Sequence, residues 1–236
     1  MRRPNRGFAA HLGDPSTFTV GLSLSSYFDS ESPANEGLAD GVQAFFISGS
    51  RVGEGVSPTE LAAMVLDGGR EPVVSVPMKG RAREDVLHEL REYHSLGVRN
   101  LLVVTGDYPR GVEGESAPFF DLESVQLLML LDGMTGTDHT HFREMLKGCV
   151  VSPFKKLEEE VAWQYARLER KVAVGADFIV SQAGFDVRAW DELARFVRVG
   201  KLARPLMGNV LVPDLVLAQR IAAGEVPGLP SHAGEP

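Results

Sequence analysis

Cysteine is nearly absent: the 236 residues contain one, Cys149, which excludes an internal disulfide framework. Basic side chains are outnumbered, 24 Lys and Arg against 32 Asp and Glu. The resulting net charge of −8 argues against a general nucleic-acid binder, whose phosphate contacts need a basic face. No apolar run approaches the roughly 18 residues needed to cross a bilayer, so no membrane span is expected. The opening MRRPNRG carries charge with no apolar stretch behind it, unlike a secretory signal. His139 and His141 have no partner pattern and metal-ligand spacing is missing, so no metal is expected. Nucleophilic Ser-His-Asp or Cys-His arrangements are missing too, because Cys149 lies inside an apolar run where it packs as a small hydrophobe. Sequence-level repeats, low-complexity tracts and interdomain linkers are also lacking. These exclusions leave a cytoplasmic enzyme or ligand-binding domain.

What is present is a repeat of pattern. Short apolar, β-branched runs begin near Phe18, Ala44, Pro72, Asn100, Gly148, Asp177 and Pro205, with steps of 26, 28, 28, 48, 29 and 28 residues. Such runs suit strands buried on both faces. Helical patterns fill the gaps. Ser57-Pro58-Thr59-Glu60 supplies an N-cap, a proline at N1 and a carboxylate at N3, opening a helix through Leu66. Residues 83–96 place Val86, Leu87, Leu90, Tyr93 and His94 on one face, and Gly97 stops the helix. A long charged helix is predicted over 156–174, and Asp186 is expected to cap another over 187–199.

Alternating strand and helix at this period indicates right-handed βα units and a parallel sheet. Seven regular units favour an α/β fold of the (β/α)8 TIM-barrel type, which closes at eight strands in about 250 residues. The period places an eighth strand near residue 233, but the final GLPSHAGEP does not read as one. The sequence therefore predicts a single barrel domain over 1–236 that lacks its eighth strand, with poorly ordered ends at about 1–14 and 226–236. The open edge beside the seventh strand calls for a second chain, another copy or a partner protein, to cover it. The one long step carries an insertion from Tyr108 to Lys147, on the face where barrel enzymes build their sites.

Residues ending the strands should converge on that face. They are Ser48, Lys79 and Arg81, then Thr105-Gly106-Asp107, Ser152 to Lys156, and Gln182 to Asp186. Asp107 follows a buried strand directly, which is costly for a carboxylate unless it is paired or used; capping the next turn is the alternative. Gln182 can donate and accept at a ring edge, or bond to a neighbouring loop. Lys79, Arg81, Lys155 and Lys156 are candidates for phosphate contacts, or ordinary surface charge.

These residues resemble a family. Val104-Thr105-Gly106-Asp107-Tyr108-Pro109 is similar to the fourth-strand motif of the methylenetetrahydrofolate reductases, and 93–100 to the helix and turn before it. Residues 120–128 resemble a flavin-side helix start, and Lys171 to Phe178 with Ser181-Gln182 and Phe185-Asp186 resembles the Lys-x-x-x-Gly-Ala, Thr-Gln, Phe-Asp stretch. The resemblance implies an FAD-binding barrel in which NAD(P)H reduces the flavin and hydride passes to 5,10-methylenetetrahydrofolate. Carried over by position, Asp107 and Gln182 are catalytic, and Gln182 and Phe185 meet the folate or nicotinamide. Ser48, Thr105, Gly106, Asp107, Asp121, Ser124, Lys155 and Lys156 fall on FAD-contacting stretches.

The sequence departs from the family at three places. Gly21 stands where the first strand's proton-donating glutamate is expected, the second strand ends in Ile47-Ser48-Gly49-Ser50, and the eighth strand is missing. A missing general acid costs about 10²–10⁴ in rate, and Glu54 is a candidate replacement. Two other functions follow from these departures: a non-catalytic flavin- or folate-binding subunit acting with a partner, and a folate-dependent barrel enzyme without flavin.

Overall fold

The computed structural model describes residues 7–14, 16–24, 41–48, 56–106, 122–133, 142–213 and 215–226. They form two compact units, Met1–Gly148 and Cys149–Pro236. In the first unit the order is α1 (Phe8–Leu12), β1 (Gly21–Leu24), β2 (Ala44–Ile47), α2 (Pro58–Asp67), β3 (Pro72–Pro77), α3 (Arg83–Leu96), β4 (Asn100–Val104) and α4 (Ser124–Gly133). Strand β5 (Leu146–Val151) runs from the first unit into the second. The second continues with α5 (Glu158–Ala173), β6 (Phe178–Ser181), α6 (Val187–Val199), β7 (Leu206–Met207) and α7 (Leu215–Ala222).

The strands follow in chain order, β1 to β7, and pair in parallel, with Gly21 opposite Ala44, Val73 opposite Asn100 and Ile179 opposite Leu206. This is the TIM-type (β/α) fold with seven strands among the described residues, one short of a closed barrel. The final segment, where the period places an eighth strand, lies outside those residues.

Local chemistry sets the helix limits. Ser57 and Glu60 form the reciprocal capping box, Ser57 Oγ accepting from the Glu60 amide at 3.2 Å and Glu60 Oε2 from the Ser57 amide at 2.8 Å. Asp186 caps α6 by accepting from the amides of Arg188 and Ala189 at 2.8 and 3.2 Å. Helix α5 has no side-chain cap, but Glu158 to Glu160 fill its first turn and Arg170 and Lys171 its last, which suits the helix dipole. The face foreseen for α3 is buried at Val86, Leu87, Leu90 and Tyr93.

Strand β1 starts at Gly21 rather than Phe18, which is 87 % exposed. A ladder reaches only as far as its partner, and β2 begins at Ala44, opposite Gly21. The hydrophobic pattern also gives no warning of α1. Its Phe8 is fully buried, edge-on to Phe46 at 6.2 Å, and the Phe8 amide donates to Glu71 Oε2 at 2.9 Å. Asn100 Nδ2 reaches the same carboxylate oxygen at 3.3 Å and the Pro72 carbonyl at 3.2 Å, so the N-terminal segment is tied to the starts of β3 and β4.

In the second unit, Phe154 stands edge-on to Trp190 with centroids 5.8 Å apart. Phe154 also fills the space where a residue 184 side chain would begin: a Cβ there would lie 2.4 to 2.6 Å from three of its ring atoms. Tyr165 stacks on Phe196 at 4.4 Å, joining α5 to α6. Lys171, 6 % exposed, donates from Nζ to the Val150 carbonyl at 2.6 Å. Beside it Cys149 is fully buried, and burial pushes its thiol from 9.0 up to about 11, against a smaller opposing pull from Lys171.

Two expectations follow. Gly184→Ala forces the Phe154 ring to move and should cost about 1–3 kcal/mol in urea unfolding. Adding Phe154→Ala should make the pair less than additive, because the clash leaves with the ring. The raised Cys149 thiol stabilises the fold below pH 9.0, and that contribution is lost as pH rises toward about 11. The urea midpoint should therefore fall across that window in the wild type and fall less in Cys149→Ala.

Candidate functional site

In a parallel βα fold the strand ends that lead into the helices carry the chemistry, and most of the expected residues stand there. In the first unit Ser48 follows β2 and is exposed, and Thr105 and Gly106 follow β4 and are half-buried. The Thr105 carbonyl accepts from the amides of Lys79 and Met78 at 2.9 and 3.3 Å, which brings the ends of β3 and β4 together. Gly106 has φ +84°, and a Cβ on it would stand 3.0 Å from that of Pro77. Both the left-handed backbone and the close approach require glycine here.

Arg81, a candidate for phosphate contact or ordinary surface charge, is engaged within the protein. Its guanidinium meets Glu89 Oε2 at 2.7 Å and donates to the Pro77 carbonyl at 3.3 Å. Tyr93 donates its hydroxyl to the other Glu89 oxygen at 2.9 Å. Burial, with the Glu89 charge adding to it, pushes the Tyr93 phenol far above its ordinary range. This triad pins the segment after β3 to α3, so Arg81 shapes the loop that carries Lys79. Ser124 opens α4 fully buried, and its Oγ has no hydrogen-bond partner among the described residues. Asp107, Asp121 and Glu54 lie outside the described residues.

In the second unit Lys155 and Lys156 follow β5 and are exposed. Gln182 follows β6, half-buried, and its amide donates to the carbonyl of Val151, the last residue of β5, at 2.7 Å. Phe185 is 38 % exposed. The last residue of β6, Ser181, stands out in the sequence only as part of the Ser181-Gln182 motif, with no role of its own. Ser181 Oγ donates to the Gln182 carbonyl at 3.0 Å and accepts from Trp190 Nε1 at 3.1 Å and the Asn209 amide at 2.9 Å. Trp190 and Asn209 lie 9 and 28 residues from Ser181, so no local pattern could have shown the cluster.

Gly21, which the resemblance assigns to the position of the missing glutamate, opens β1. Leu24, where that strand ends, is three residues further on, about 10 Å along the strand. Parallel strands run the same way, so Gly21 stands at the opposite end from Ser48 and Thr105. Ser23, exposed on the same face by alternation, stands closer to them. Among the described residues no group of His, Cys, Asp and Glu is arranged to hold a metal, and no helix is long and apolar enough to cross a membrane.

Comparison with known proteins agrees with this fold. The family model for methylenetetrahydrofolate reductase matches residues 56–223, which include both strand-end motifs, Thr105-Gly106 and Ser181-Gln182. No curated protein matches the chain. Among solved structures, phosphoenolpyruvate phosphomutase from Streptomyces platensis subsp. rosaceus is 14% identical with a TM-score of 0.51, over 87% of this chain and 81% of that one. A 2,3-dimethylmalate lyase of the PEP mutase/isocitrate lyase superfamily is 12% identical with a TM-score of 0.52, over 92% and 81%. At such identities these two likenesses speak for the fold alone. The match over most of its length shows that this chain belongs to the methylenetetrahydrofolate reductase family.

Proposed function

We propose that the chain is a flavoprotein reductase that passes hydride from NAD(P)H through FAD to 5,10-methylenetetrahydrofolate. The observation that carries this reading is the family match over residues 56–223. The donor chemistry of the described residues fits FAD. In the first unit Ser48 and Thr105 carry hydroxyls, Gly106 leaves backbone bare of side chain, and the Ser124 hydroxyl is buried without a partner among the described residues. An unmatched buried hydroxyl costs about 1–3 kcal/mol. In the second unit Lys155 and Lys156 offer two exposed ammonium groups for a pyrophosphate. When bound, FAD supplies the hydride relay between nicotinamide and folate.

The chain's own residues bind and orient. Gln182 would donate and accept along the edge of a pterin or nicotinamide ring, and Phe185 would lay an aromatic face against it. Asp107 would set the charge beside the flavin and the folate, with Asp121 on the cofactor side. A location in the cytoplasm and an assembly that covers the outer edge of β7 belong to the same reading.

A second reading, a non-catalytic flavin- or folate-binding subunit acting with a partner, is favoured by one feature. Strand β1, Gly-Leu-Ser-Leu, carries no carboxylate to protonate the folate and open its ring. Anaerobic stopped-flow absorbance of the FAD-reconstituted chain separates the readings. Bleaching by NADH or NADPH and recovery on adding the folate is the result expected of a reductase. Flavin that binds but neither recovers nor turns over would select the subunit reading, and absence of flavin binding would remove both flavoprotein roles.

On the reductase reading, Gln182→Ala should lower kcat/KM for the folate by about tenfold or more, the equivalent of one to two hydrogen bonds. Lys155→Ala with Lys156→Ala should raise the FAD Kd by about tenfold, the loss of one charge-assisted hydrogen bond. Fluorescence titration of the flavin measures the second effect.

A further inference from the structure

The Ser181 hydroxyl at the end of β6 makes every hydrogen bond open to it. A hydroxyl has one proton and two lone pairs. Here the proton goes to the Gln182 carbonyl, and the lone pairs go to Trp190 Nε1 and the Asn209 amide. Ser181 is 1 % exposed, so water does not compete for these bonds. No capacity is left over for a ligand, which excludes a direct catalytic role for this hydroxyl.

We propose that Ser181 is a positioning residue that aims the Gln182 carboxamide at the folate, with Trp190 holding the serine hydroxyl in place. The inference rests on the preceding reading of Gln182 as a folate contact. Gln182 is gripped on both sides of its Cα: its amide donates to Val151 at 2.7 Å, and its carbonyl accepts from Ser181 at 3.0 Å. With both flanking peptide groups fixed, only side-chain rotation remains to be ordered on binding. The clamp is itself rigid. The Trp190 ring stands edge-on to Phe154, and Phe154 occupies the space left open by Gly184. Asn209, beyond β7, supplies the third bond, so Ser181 joins β6, α6 and the segment after β7.

Threonine would keep the hydroxyl on Cβ, while alanine would release all three partners. Phenylalanine at 190 would keep a ring against Phe154 and lose only the indole N–H. The test measures folate KM, kcat and thermal midpoint on the FAD-reconstituted full chain for Ser181→Ala, Ser181→Thr, Trp190→Phe and Gln182→Ala. Tyr93→Phe serves as the control, since it removes a part-buried hydroxyl bond that involves none of Ser181, Gln182 or Trp190.

The expected result is a folate KM raised roughly 10- to 100-fold by Ser181→Ala, as a misplaced contact gives, and a smaller rise in Trp190→Phe. Ser181→Thr should restore the wild-type KM, and Tyr93→Phe should lower the midpoint with KM unchanged. If Ser181→Ala does not fold, Trp190→Phe carries the same comparison. A fall in midpoint with KM unchanged, in either variant, overturns the positioning role and leaves the function intact if Gln182→Ala still raises KM. A wild-type chain that neither turns over nor binds the folate overturns the functional reading and this inference with it, and that failure shows in the wild type alone.

Discussion

A parallel strand covered on both faces has little room for polar side chains along its length, and this constraint shapes the protein. In β4 the residues Asn100 to Val103 are all buried, and in β6 all four are. Their backbone groups are used in the sheet ladder, and their side chains are almost all apolar. Polar chemistry is therefore displaced to the strand ends, where the chain turns toward the next helix. Ser48, Thr105, Lys155 and Gln182 occupy such positions, and Asn100 begins a strand where Glu71 can reach it.

The two units organise these ends by different means. In the first, backbone does most of it: the Thr105 carbonyl draws in the amides of Met78 and Lys79, and Gly106 lets β4 turn directly against Pro77. The ion pair of Arg81 with Glu89 and the Tyr93 hydroxyl then fix the segment after β3 against α3. In the second, one side-chain hydroxyl does the comparable work, with Ser181 joining three segments around Gln182. Buried charge is handled with similar economy. Lys171 has left water, and its ammonium is matched by the Val150 carbonyl.

Much of this was legible in the sequence because it depends on near neighbours. The capping box of Ser57 and Glu60 spans three residues, Asp186 caps α6 through the next few amides, and the 28-residue period marks each strand by its own apolar run. The extent of β1 was not legible, since it depends on where β2 begins. Nor was the burial of Phe8, which needs Phe46 and Glu71. The pairing of Arg81 with Glu89 was not legible either, since Glu89 becomes its neighbour only when α3 folds back beside the loop. Nor was the place of Gly21 at the start of β1, since an apolar run has no visible top or bottom until its pairing register is known.

The sequence by itself determined the kind of fold, the family and the order of strands and helices, because periodicity, caps and motif spacing act over a few residues to a few tens. The tertiary structure alone decided which polar groups are committed to holding the strand ends and which stay available. Arg81 and Ser181 are committed, while Gln182 keeps its side chain at a half-buried strand end. That distinction depends on distances between groups far apart in sequence, such as Ser181 with Asn209 and Glu71 with Asn100. A hydrogen bond forms only when folding has brought its donor and acceptor to about 3 Å.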